Sequence, residues 1–184
     1  MYLGHDTELA IAVLVDLINT GPETGDPERL PDLETLRAFT DQHHLSELGP
    51  LDEDDLAAVH EIRGKFRRLF ETTSDEQAVS ELNALLGDAT ATPRLTNHDG
   101  YDWHIHHFVP GASVRDHLAI EGGLALARVI SEGARQRLRV CEAPDCARVL
   151  LDVTKNNCRR YCDSRTCGNR LHVAAYRARQ RAAV

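Results

Sequence analysis

The sequence predicts an α+β protein in two parts: a mostly α-helical N-terminal domain with one β-hairpin over residues 1–133, and a small cysteine-bearing module over residues 134–184. Three observations predict it. Apolar residues recur at helical spacing through the first 87 residues, the period shifts from 3.6 to 2 after Pro93, and all five cysteines lie between positions 141 and 167. At 184 residues, 42% hydrophobic and 27% charged, the composition is that of a globular chain, neither disordered nor fibrous. The longest apolar stretch, Leu9 to Val15, is too short for a membrane span and lacks the basic residues that open a secretion signal. No membrane partner and a cytoplasmic location are therefore expected.

Turn chemistry divides the helical part. Thr7 is read as the cap of a first helix carrying Leu9, Ala10, Val13, Leu14, Leu17 and Ile18, which Gly21-Pro22 ends. Pro31-Asp32 opens a second with Leu33, Leu36 and Phe39, and Asp52 a third with Leu56, Val59, Ile62, Phe66 and Leu69. Ser74 with Gln77 forms a capping box for a fourth helix, closed by Gly87. Runs 94–98 and 101–108 then flank Asp99-Gly100, a dipeptide suited to the positive φ angles of a tight hairpin turn. Ser113 with Asp116 caps a long helix that stops at Gly133, where the domain boundary is placed.

In the second hairpin strand, alternation sets Asp102, His104 and His106 on one face and Tyr101, Trp103, Ile105 and His107 on the other. The second face is expected to be core. The first is a candidate site for a small-molecule effector, read as anionic, or for a metal, weighed against a simple solvated face. His43 and His44 are expected at the surface.

Charge is divided as sharply as composition. Residues 134–184 hold 12 Lys+Arg against 4 Asp+Glu, and residues 1–133 hold 9 against 25. The basic part also holds two cysteine pairs of matched spacing, Cys141/Cys146 and Cys162/Cys167. Four thiolates in two such knuckles make a closed tetrahedral site for one structural zinc ion, with no open position for chemistry. Between the pairs, Arg148 to Val153 suits a hairpin strand, and from Cys167 a helix is expected to run to Arg181. The order of knuckle, hairpin, knuckle and helix is that of a treble-clef-like four-cysteine zinc finger. Cys158 could replace Cys167 in the ligand set; otherwise it is a spare thiol.

Cys167-Gly168-Asn169-Arg170, preceded by Arg159-Arg160-Tyr161-Cys162 and followed by Ala174, Arg177, Ala178 and Arg179, resembles the CGNR zinc finger. Upstream, Asn19-Thr20 and His104-Ile105-His106 resemble the ABATE domain that accompanies this finger in bacterial proteins. Together the two resemblances cover nearly the whole chain. They imply a stress-induced transcription regulator whose finger binds DNA, with Cys141, Cys146, Cys162 and Cys167 as zinc ligands. Asp152 with Thr154 and Arg159 with Arg160 match further family positions. Tyr161 departs from the family's usual Trp, and Cys158 from its frequent Ser.

On a helix from Gly168, Arg170, Arg177 and Arg181 form one stripe, with Arg179 beside it, while Leu171, Ala174, Ala175 and Ala178 form an apolar face expected to dock on the finger. Lys155, Arg159, Arg160, Arg165 and Asn169 would widen a nucleic-acid-binding surface. The acidic N-terminal part is expected to mask the basic helix until a signal releases it. The alternative is a zinc-stapled adaptor that binds an acidic protein surface without binding DNA. No phosphate loop or His-Glu-x-x-His motif is present, and no enzymatic activity is expected.

Overall fold

Helices α1 (His5–Ile18), α2 (Leu33–Gln42), α3 (Glu53–Glu71), α4 (Asp75–Gly87) and α5 (Val114–Ser131) follow the predicted order. The structure, a computed structural model, describes residues 4–97 and 103–182. Asp32 and Asp52 each close a capping box at α2 and α3, and the Ser74 and Ser113 hydroxyls accept from the backbone N–H of Gln77 and Asp116. Gly4 precedes α1, so Thr7 lies inside its first turn and is not the cap expected of it. At the end of α5, Gly133 adopts φ 66°, and the following amide donates to the Val129 carbonyl, as a glycine-terminated helix requires.

Helix α5 is the central element and packs on α1, α3 and α4. Gly122 permits this approach. A Cβ there would stand 3.1 Å from Phe66 and 3.4 Å from Leu14, two side chains buried too deeply to give way. The main core joins Leu14, Ile62, Phe66, Leu82 and Leu126, while a second cluster under α2 holds Leu36, Phe39, Val59 and Leu118. Among the described residues no helix is long and apolar enough to cross a membrane.

Strand β1 (Arg94–Thr96) pairs antiparallel with β2 (His104–His106), placing Arg94 opposite His106. Among the described side chains alternation holds, but Trp103, Ile105 and His106 face the opposite way to that expected. Trp103 and Ile105 are 67% and 58% exposed, whereas His106 turns inward beside the buried Phe108. The inward side carries charged partners, Glu47 and Arg94, that satisfy a histidine and would leave an isoleucine in polar surroundings. Asp99-Gly100, Tyr101 and Asp102 lie outside the described residues.

Strands β3 (Leu138–Val140) and β4 (Val149–Leu151) form a second antiparallel hairpin. All three residues of β4 are buried, because the strand is covered on both faces. Val149 and Leu151, with Leu138 opposite, join the helical core, while Leu150 faces a separate cluster of Cys141, Ala143 and Cys167. The hairpin is therefore a shared layer between the helical bundle and the cysteine module.

Candidate metal centre and nucleic-acid interface

Cys141 and Cys146 flank the turn after β3. Cys162 follows the loop from β4, and Cys167 sits in a π-type turn, Ser164–Gly168, that runs into α6 (Asn169–Ala182). Asp163 holds that turn: its carboxylate accepts from the amides of Arg165 and Thr166, and its carbonyl from the amide of Gly168. The four sulfurs lie within 4.8 Å of one another. Cys146 and Cys162 Sγ are 3.7 Å apart, and Cys162 and Cys167 Sγ 3.8 Å. A tetrahedral zinc ion with Zn–S bonds of about 2.3 Å requires sulfur separations of roughly 3.8 Å, so the donor set fits one zinc ion.

Electrostatics support the same reading. Burial pushes the Cys162 thiol well above its ordinary range, and the nearby sulfurs of Cys146 and Cys141 push it further. Thiols packed this closely cannot all ionise unaided; a divalent cation removes that penalty. The Cys162 amide stands 3.4 Å from Cys141 Sγ, the N–H···S contact of a zinc knuckle. Cys158 is exposed and outside the cluster, so it does not displace Cys167.

Carboxylate and arginine contacts hold the loop between the pairs. Asp152 is fully buried and accepts from the amides of Thr154 (2.8 Å) and Arg159 (2.7 Å) and from the Thr154 hydroxyl. Burial raises its pKa, but these hydrogen bonds outweigh that effect and the net direction is down. Arg159 is turned inward, donating to the carbonyls of Tyr161 and Cys162, and Arg160 pairs with Glu142 while lying over the Tyr161 ring. Both thus have partners within the finger, a structural use beside the nucleic-acid contacts that sequence reading expected of them.

Other predicted nucleic-acid contacts, six cations and Asn169, stay available. Lys155, Arg165, Asn169, Arg170, Arg177, Arg179 and Arg181 are exposed, and among the described residues none of these side chains is in an ion pair. Two expectations about α6 are corrected. Its alanine face does not dock, since Ala174 and Ala178 are exposed and only Leu171 packs on the finger core. Nor does the acidic part mask it, because α6 packs chiefly on the turn that leads into it. A buried core of two cysteines, a leucine and an alanine has little apolar surface to hold a long helix by its side.

What sequence reading missed is the grip of the helical part on the finger. Val149 faces Val140 in a non-hydrogen-bonded pair, so its N–H and C=O point to the open edge of the hairpin. Asn19, at the end of α1, pairs with both, accepting from Val149 N at 2.8 Å and donating to Val149 O at 3.0 Å. Thr24 O accepts from Ala147 N, Arg67 donates to Ala147 O at 2.8 Å, and Arg148 pairs with Asp26. The buried Arg63, bidentate on Glu28 and bonded to Thr20, fixes the loop that delivers Thr24 and Asp26. Thus Ala147 to Val149, next to ligand Cys146, is held at every residue. The only sequence signal was the Asn19-Thr20 pair.

The predicted effector residues are divided. Asp102 lies outside the described residues, and the structure describes His104 by its backbone alone. His106 Nδ1 is 3.0 Å from Glu47, which Arg94 also pairs. His43 is not at the surface as expected; it stacks on Phe39 with centroids 4.4 Å apart, while His44 is exposed. Beside His106, the unanticipated His117 is 6% exposed and stacks on Phe108 at 3.8 Å. Neither ring nitrogen makes a hydrogen bond of acceptable geometry, although the Ser46 backbone approaches. Burial lowers its pKa to about 4. Its position on the inward face of α5, in step with Val114 and Leu118, was the available signal.

Hairpin, four-sulfur clamp and projecting basic helix, seated on a helical bundle, define a zinc-finger protein. Residues 137–180 match the family model of the CGNR zinc finger. Residues 12–150 match ABATE, described as "Putative stress-induced transcription regulator", and the chain belongs to that family. No curated protein matches it. The two matches overlap over residues 137–150, the stretch that carries β3 and β4.

Asn19→Ala leaves two backbone groups of Val149 without partners and is expected to lower unfolding free energy by about 2 kcal/mol while zinc stays bound. Urea unfolding with parallel zinc titration checks this. His117, charged in the unfolded chain below about pH 6.5 but neutral when folded down to about pH 4, makes the unfolded state bind more protons between those values. Stability should therefore be level above about pH 6.5 and fall by up to about 3 kcal/mol towards pH 4. The fall should be smaller in His117→Gln, read by denaturant melts across that range.

Proposed function

We propose that the chain is a transcription regulator that binds duplex DNA through Lys155, Arg165 and the arginines of α6, with the helical part as its regulatory, ligand-sensing half. The observation that carries this reading is α6 itself. Its 14 residues extend about 21 Å, its side chains are largely solvent-facing, and Arg170, Arg177 and Arg181 stand along it without ion-pair partners among the described residues. A helix free on most sides is what a major groove about 12 Å wide admits. Zinc enters as structure: its four thiolate bonds fix the turn from which α6 projects, and the reading assigns no catalysis to the chain.

The adaptor reading has its own support in Val173 and Tyr176, which are 39% and 57% exposed on the same helix. One experiment separates the two. Fluorescence anisotropy with a labelled duplex, titrated across salt, should show affinity falling steeply as counterions are released, and Arg170→Ala with Arg177→Ala should reduce the log–log slope by about 2. Duplex affinity that is absent, or indifferent to salt and to both arginines, would contradict DNA binding and favour the adaptor.

A further inference from the structure

A cleft of about 1280 Å³ opens between α1, the end of α2, β2 and α5. Its walls are apolar and aromatic, with Val13, Leu45, Phe108 and Leu118 inside and Leu9, Trp103 and Ile105 exposed at the mouth. Asp16 and Asp41 bring carboxylates to it, and its described lining residues include four histidines, His43, His44, His106 and His117, but neither lysine nor arginine. Asp16 has His43 Nε2 at 3.6 Å, and burial lowers that ring's pKa, which weakens its hold on the carboxylate. His117 lines the floor, 94% shielded from solvent, with ring nitrogens that make no well-formed hydrogen bond. A polar group so deeply placed and left unsatisfied is costly unless something enters to meet it.

We infer that this cleft is a binding site for a lipophilic aromatic cation, whose rings lie against Phe108 and Trp103, whose charge is met by Asp16 and Asp41, and whose hydrogen-bonding group reaches His117. Each part of that ligand answers a feature of the lining. Aromatic faces attract cations as well as rings. Asp16 and Asp41, with no lysine or arginine among the described lining residues, favour a cation over an anion, and a neutral imidazole offers one donor and one acceptor. The volume suits a multi-ring molecule better than a small metabolite. The inference deepens the sensing role proposed for the helical part, because α1 walls the cleft and ends at Asn19, the residue that holds the finger hairpin.

The test uses the full-length zinc-loaded chain without DNA, so its outcome is independent of duplex binding. Rhodamine 6G and fluorescein share a xanthene ring system and differ in the sign of charge. Anisotropy titrations should show saturable rhodamine 6G binding, no fluorescein binding, and about a tenfold weaker rhodamine affinity in D16N/D41N, where both substituted side chains are solvent-facing and the fold should persist. Trp103, the single tryptophan, should be quenched over the same titration. Equal uptake of both dyes, no rhodamine binding by folded protein, or affinity unchanged in D16N/D41N would overturn the inference. So would a self-associated dimer that excludes the dye and is broken by Ile105→Arg, since a second copy would then be the occupant.

Discussion

Strand β4 has no face of its own in solvent, and the remainder of the architecture follows from that constraint. Val149 and Leu151 complete the helical core, Leu150 completes the finger core, and the outer edge is closed by the side chain of Asn19. A three-residue strand so enclosed cannot shift register without exposing apolar side chains on one side and opening backbone hydrogen bonds on the other. The finger is thereby fixed to the bundle, and α6 leaves from the turn that holds Cys167, the last sulfur of the clamp.

The division of labour between apolar burial and metal is equally physical. The bundle holds two clusters of large side chains and needs no staple. The finger's own core, by contrast, consists of the four ligand cysteines, two of them only partly buried, with Ala143, Leu150, Leu171 and Tyr161. Modules with so little to bury depend on metal, whose binding to four thiolates supplies folding free energy of about 10–16 kcal/mol. Arginine contributes in a second way, since Arg137, Arg139 and Arg159 donate to loop carbonyls that have no strand or helix partner. Part of the basic excess is therefore internal bracing, and the outward cations without ion pairs among the described residues include those of α6 with Lys155 and Arg165.

The helices were legible because their signals are local: Asp32, Asp52, Ser74 and Ser113 cap where they stand, and Gly133 stops α5 through its own φ. The zinc set was legible up to one ambiguity, because matched spacing identifies two knuckles but cannot tell Cys158 from Cys167 without the fold. What escaped was relational. Nothing near Asn19 says that its amide will serve as a strand edge for residue 149, and nothing in 104–106 says which face will turn inward, since that depended on Glu47 and Arg94 from elsewhere. The alanine face of α6 misled for the opposite reason, being a sound local pattern with no surface to meet it.

The central claim, that four named sulfurs hold one zinc ion in the finger from which α6 projects, is tested most directly by zinc X-ray absorption on the purified full-length chain with its metal content measured. The account predicts one zinc per chain in a shell of four sulfurs at about 2.3 Å, unchanged in Cys158→Ser. Nitrogen or oxygen in that shell, or zinc kept by Cys167→Ser and lost by Cys158→Ser, would contradict it.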